Sequence, residues 1–198
     1  MTLILASQSA SRRAMLDAAG VAYEALPARV DEDGAKATLR AEGVSPRGLA
    51  DALAELKAVK ISQAVPGALV LGSDSLVALD DGTTLDKPET RAQAADHLRL
   101  MSGKRHDLIS AAVIAENGQP VWRVVDRARM VVRPLSEAFI ERYLDAEWPA
   151  ISGCVGCYRI EGLGAQLFTA IEGSQFTVLG MPLLPVLGYL RTRQVLPS

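Results

Sequence analysis

An α/β fold is predicted, and three features of the sequence carry the prediction. Two apolar runs, LILA (3–6) and ALVLG (68–72), have the length and composition of strands covered on both faces. Segments with helical spacing alternate with such runs, the strongest beginning at Ser45-Pro46. No repeat, low-complexity tract or linker divides the 198 residues, so one continuous domain is expected rather than two independent ones.

Taken in order, LILA forms the first strand and residues 12–19 a helix closed by Gly20. A polar segment follows, with Asp31, Glu32 and Asp33 in a row. In the helix from Ser45-Pro46, Leu49, Leu53, Leu56 and Ala64 share one stripe, with Lys57 at its border. ALVLG delivers Ser73, Asp74 and Ser75 at its end, LVAL resumes an apolar run, and Asp81-Gly82 marks a turn. Thr90 and Gln93 have capping-box spacing and open a helix that ends near Gly103. DLISAAVIAENG and QPVWRVVDRARMVV form a hairpin turning at Asn117-Gly118. Ser136 caps a helix running to Ala146. The glycine-rich run GCVGCYRIEGLGAQLF leads to a strand, and PLLPVLGYLRTRQ closes the chain as a helix.

Composition narrows the function. A chain that is 49% hydrophobic and 22% charged has the profile of a globular protein with a proper core. A net charge of −2 argues against a DNA or RNA polymer as partner, while a few local cations suffice for a small anion. No run approaches the roughly 20 apolar residues of a membrane span. MTLILA lacks the features of a secretory signal, so a cytoplasmic location without a membrane partner is expected. Cys154 and Cys157 are spaced as Cys-x-x-Cys, with only His97 and His106 as further soft ligands. A reduced pair is expected, and a redox dithiol or a zinc site are the alternatives.

The stretch between the first strand and the first helix gathers Ser7, Ser9, Ser11, Arg12 and Arg13. The first amides of a helix are unpaired and mark the positive end of its dipole. Hydroxyls and guanidinium forks add donors matched to phosphate oxygens. Alternatively, Ser11 caps the helix and both arginines are solvated. Asp74 either faces a cleft at the end of its strand or bonds local amides in a turn. Lys87 suits a phosphate as a point charge or stands in solvent. Lys57 and Lys60 reach into a cleft or snorkel. The run Asp31-Glu32-Asp33 holds a divalent ion or forms a solvated loop, and His97 packs within its helix or faces water.

Together these features resemble the Maf family of nucleoside triphosphate pyrophosphatases. Leu5 to Arg13 match the family's Leu-Ala-Ser-x-Ser-Pro opening and its arginines, with Ala10 in place of the proline. GSDSLV matches its second strand signature, Lys87-Pro88 its Lys-Pro pair, and LAELKA, which holds Lys57, its Leu-Ala-x-x-Lys-Ala helix. GCYRIEGLGAQLFTAIEGS and VLGMPL match its closing segments, so the resemblance spans the chain in order. It implies an elongated fold like that of inosine triphosphate pyrophosphatases, a mixed sheet flanked by helices with two lobes around a cleft. It implies hydrolysis of a nucleoside triphosphate to the monophosphate and diphosphate, with a homodimer as the expected assembly. Arg12, Lys57 and Lys87 would then stabilise the leaving diphosphate, with Ser7, Ser9 and Arg13 holding phosphates. Asp74 is implied as proton acceptor for water or as metal ligand, and Glu32 as a ligand for magnesium or manganese.

Glu161 in YRIEG resembles the branch of the family acting on 7-methyl-GTP, as does the doubled Arg12-Arg13. The branch acting on thymidine and uridine triphosphates has glutamine at that place. A carboxylate only accepts hydrogen bonds, which suits the donors and positive charge of a 7-methylguanine. Ser75 stands where the first branch has glutamine. A dTTP/UTP pyrophosphatase, and a nucleotide-binding regulator of cell division without turnover, are the alternative functions.

Overall fold

The computed structural model describes residues 2–197. Among them, seven strands form one mixed sheet: β1 (Leu3–Leu5), β2 (Glu24–Ala25), β3 (Leu69–Leu79), β4 (Thr84–Leu85), β5 (Arg105–Glu116), β6 (Gln119–Val132) and β7 (Phe168–Glu172). Their order is β2-β1-β3-β5-β6-β7, with β4 pairing on β3. β1 runs parallel to both neighbours, and every other pairing is antiparallel. The helices are α1 (Ala10–Ala18), α2 (Glu32–Ala41), α3 (Pro46–Ala64), α4 (Arg91–Met101), α5 (Glu137–Glu147), α6 (Gln175–Val178) and α7 (Leu183–Thr192). Among the described residues no helix is long and apolar enough to cross a membrane.

The period-2 alternation of the long strands explains the layout. Even-numbered residues of β3 face α3, where Leu76 and Ala78 pack with Leu49, Leu53 and Ala54. Odd-numbered residues face the other way and divide between two apolar cores. Leu69 and Leu71 join Leu16, Ile114 and Leu190 at one end, while Val77 joins Leu98, Met130, Leu144 and Tyr158 at the other. Between the two cores the same face turns polar. Ser75, Ser110 and Asp126 stand in register across β3, β5 and β6. Two lobes with a waist of hydroxyls and one carboxylate are the result.

Several sequence expectations hold in detail. Asn117 and Gly118 turn the β5–β6 hairpin, both with positive φ, and Thr90 and Ser136 cap α4 and α5. Others are corrected. Asp74 does not end a strand: β3 runs unbroken to Leu79, with Asp74 in its middle. The acidic run is no loop, since Asp31 caps α2 through the Gly34 amide and Glu32 and Asp33 fill its first turn. In α3 the buried stripe is Leu49, Ala50, Leu53, Ala54, Lys57 and Ala58. Leu56 falls at the edge of that stripe and Ala64 is the last residue of the helix, and both are exposed. Helix α1 starts at Ala10 with Ser9, rather than Ser11, as its cap. PLLPVLGYLRTRQ forms α7 as expected, and the short helix α6 that precedes it across Gly180 is an addition.

Candidate active site

The cleft follows from strand lengths. On one edge, β3 pairs with β1 over Leu69–Leu71 and with β4 at Val77 and Ala78. Residues 72–76 between these pairings have no strand neighbour on that side. The amide of Leu69 bonds Thr2, the carbonyl of Leu71 accepts from Ala6, and the amide of Leu79 bonds Thr83. Backbone groups alternate sides along a strand, so those of Ser73 and Ser75 also point to this edge and into the gap. A cleft of about 630 Å3 opens there, past the end of β1 and the start of α1, with both faces of β3 in reach. Ligands of α/β proteins gather beyond strand carboxyl ends, and here the strand that ends is β1, not the one bearing Asp74.

On the α3 face, Lys57 Nζ lies 2.6 Å from Asp74 Oδ1 and 3.1 Å from Glu32 Oε1. Gly72 makes this contact possible. A Cβ there would stand 2.2 Å from the Ala54 carbonyl oxygen and 2.7 Å from the Ala58 amide, so α3 rests directly on the strand. Asp74 is 6% exposed and Lys57 7%, yet Asp74 Oδ2 has no hydrogen-bond partner. Burial pulls the Glu32 carboxyl upward, but Lys57 by charge and hydrogen bond, then Lys87 and Lys36, hold it below the usual range.

On the opposite face stands Arg12, 9% exposed. Its Nε donates to the Gly180 carbonyl at 2.8 Å, Nη2 to Ser75 Oγ at 3.0 Å and Nη1 to Ser7 Oγ at 3.3 Å. Every one of these acceptors is neutral, and no carboxylate touches the guanidinium among the described residues. Desolvation lowers its pKa, and the charges of Asp74 and Glu32 oppose that only from a distance. Ser9 Oγ accepts from the Arg12 amide and meets Ser11 Oγ at 3.0 Å, while the Ser9 amide donates to Ser7 Oγ. The amides of Ala10 and Ser11 remain without helical partners at the cleft wall.

Of the residues expected from the sequence, Ser7, Ser9, Arg12, Glu32, Lys57, Asp74, Lys87 and Glu161 all line the cleft. Arg13 does not: its Nη2 bonds the Ser7 carbonyl at 3.5 Å, behind the loop. Lys87 is exposed, and its segment is tethered by Asp86, which pairs with Lys36 and Arg40 of α2. Lys60 lies outside the cleft and bonds the Arg29 carbonyl. Glu161 is exposed, and Arg159 beside it is engaged elsewhere, with Nε and Nη2 both on the buried Glu147 at 3.0 and 2.7 Å.

The cysteines are free thiols, and burial raises both. Cys154 lines the cleft and Cys157 Sγ meets His97 Nδ1 at 3.5 Å, so His97 packs against that turn. Among the described residues no three metal-ligating side chains come together, whereas a structural zinc takes four ligands. Sequence reasoning missed Arg29 and Tyr158, which also line the cleft, and gave Gly180 no role. Arg29 has a positive φ that nothing in the flanking sequence announces. Tyr158 is held by His106 Nε2 at 2.9 Å, a partner 52 residues away.

The chain is 56% identical to a protein of Sphingopyxis alaskensis named nucleoside triphosphate pyrophosphatase, over the full length of both. It is 54% identical, over 96% of each chain, to one of Jannaschia sp. named nucleoside triphosphate pyrophosphatase 1. A relative in Hyphomonas neptunium with the first of these names is 48% identical over 100% of this chain and 99% of its own. The family model described as Maf-like protein matches residues 2–193, and the chain belongs to the Maf family.

Proposed function

We propose that the chain hydrolyses a nucleoside triphosphate to the monophosphate and diphosphate, with water attacking the α-phosphorus and a 7-methylguanine nucleotide as substrate. The observation that carries the reaction is Arg12, a buried guanidinium without a contacting acid, set across one strand from Asp74, whose Oδ2 lacks a partner. A desolvated cation with neutral neighbours is matched to an anion that arrives from outside. The loop amides, Ser7, Ser9 and Arg12 would take the phosphate chain, and Lys87 the developing charge on the departing diphosphate.

In this reading Asp74 Oδ2 accepts the proton of the attacking water. Lys57 fixes Asp74 by holding Oδ1, and Oδ2, buried at the wall of the cleft, is left without a partner. A magnesium or manganese ion is the alternative use of that oxygen: Asp74 through Oδ2, with Glu32, would supply the one or two carboxylates that such ions usually take beside substrate phosphates. When bound, the ion would neutralise phosphate charge.

The base reading rests on Glu161. Arg159 does not consume it, because its guanidinium is bidentate on Glu147. A free carboxylate at the cleft suits the N1–H and N2–H₂ donors of guanine and the positive charge of its 7-methyl form.

The test is product-resolved hydrolysis of the four ribonucleotides, dTTP and 7-methyl-GTP with magnesium or manganese. Monophosphate plus diphosphate, with 7-methyl-GTP fastest, supports both parts. Preference for dTTP or UTP overturns the base, and binding without turnover overturns the reaction in favour of a regulator. Glu161→Gln is expected to shift the preference among bases, and an unmoved preference removes Glu161 as the reader.

A further inference from the structure

We propose that Gly180 and Ser75 are positioning residues: the Gly180 carbonyl, braced by a row of hydroxyls across the waist of the sheet, fixes the Arg12 guanidinium for the substrate phosphates. This deepens the reading of Arg12 given above and rests on it. One carbonyl oxygen here accepts from Arg12 Nε at 2.8 Å, with Ser73 Oγ and Ser75 Oγ each 3.1 Å away. Ser73 has a single proton, and the Ala111 carbonyl takes it by the shorter bond of 2.7 Å. The turn that presents Gly180 is tied to three strands. Ser75 reaches it from β3, Ser110 Oγ of β5 donates to the Thr177 carbonyl at 2.8 Å, and Thr177 Oγ1 donates to Asp126 of β6 at 2.5 Å. Ser75 Oγ accepts from Arg12, and its one proton goes either to the Gly180 carbonyl or to Ser110 Oγ at 2.9 Å.

Two details show why these residue types stand there. Gly180 has φ +105, a conformation that L side chains rarely adopt, and a Cβ would crowd Ser75 Oγ at 3.3 Å and the Arg12 fork at 3.7 Å. A guanidinium has five N–H donors in a fixed plane, and the three bonds to Gly180, Ser75 and Ser7 leave two. Those two are held in one orientation by bonds on all three nitrogens. An arginine without acidic partners needs such a mount, because no ion pair aligns it. The mount also explains a serine rather than a longer residue at position 75. Its hydroxyl is occupied with the arginine and the turn instead of a nucleobase.

The experiment is a double-mutant cycle on diphosphate release, read with thermal melting. Ser75→Ala is expected to lower kcat/KM about tenfold, equivalent to about 1.4 kcal/mol. Ser75→Thr, which keeps the hydroxyl, restores most of the loss. In an Arg12→Lys background, Ser75→Ala costs less than about twofold more, because the side chain it aligns is gone. Gly180→Ala should act like Ser75→Ala or more strongly, and if it fails to fold, the serine series decides alone. Losses that multiply in both backgrounds, or that Thr does not rescue, assign Ser75 a merely structural role and overturn the proposal. If Arg12→Lys is costly but Ser75→Ala is not, the positioning role fails and the phosphate role of Arg12 stands. If Arg12→Lys costs nothing, both fall.

Discussion

The two faces of β3 at the cleft handle buried positive charge in opposite ways. On the α3 face, Lys57 meets two carboxylates within 3.1 Å. On the other face, Arg12 is buried as deeply and meets only a carbonyl and hydroxyls. A third basic group, His106, is fully buried and escapes the problem by staying neutral, with its pKa pushed down to about 4 by burial against the opposing pull of Asp107 and Asp80. A paired cation serves its acid partners, and an unpaired one is left for an incoming anion. In the proposed reading, Lys57 organises Asp74 and Glu32, and Arg12 meets the substrate.

The largest effect should come from Asp74→Asn, which keeps the shape but removes the proton acceptor. General-base losses are on the order of 10²–10⁴ in rate, and product-resolved hydrolysis reads them. A loss under tenfold would make the α3 face structural and break the contrast.

Lys57→Met should destabilise by about 3–5 kcal/mol in chemical denaturation, because it strands Asp74 and Glu32 against an apolar side chain. Arg12→Met strands no carboxylate and should cost under about 1 kcal/mol while weakening nucleotide binding at least about tenfold. Equal stability losses in the two variants would show that pairing does not separate the two faces.

His106 gives the pH arm of the comparison. Below about pH 6.5 the unfolded chain protonates this histidine while the folded chain does not, so stability should fall from pH 6.5 down to about 4. The full shift corresponds to on the order of 3 kcal/mol. His106→Phe should flatten that part of the melting profile, and an unchanged slope would locate the acid sensitivity elsewhere.

The smallest effect concerns close packing. Gly72→Ala should lower the rate several-fold and shift the melting point downward, since α3 must lift from the strand and loosen Lys57 from Asp74. Full activity in this variant would separate the ion pair from the glycine contact.

Much of this contrast was visible in the sequence, but unevenly. Ser7, Ser9 and Arg12 announce themselves because local chemistry sets a helix start: Ser9 caps α1 and the loop amides follow. Asp74 and Lys57 stand out as charges in apolar surroundings, a pattern that one-dimensional reading detects. Arg13 looked equivalent to Arg12, and only the turn of α1 sends one into the cleft and the other behind the loop. The acidic run at 31–33 read as a loop, because helix α2 buries no residue fully and rests on the core only through Ala35 and Leu39, a contact that a run of charges does not announce.

By itself, the sequence determined the α/β class, the long hairpin, the caps of α4 and α5 and the cluster of hydroxyls and arginines where α1 begins, since each depends on neighbours a few positions apart. Its motifs also resemble the Maf family. Only the tertiary structure decided where β1 and β4 leave the edge of β3 open, which cation meets an acid, and that the Gly180 carbonyl receives Arg12. Those facts join residues up to 168 positions apart, Arg12 and Gly180 among them. Contacts over such separations are fixed by how whole layers pack, and local propensity contains no term for them.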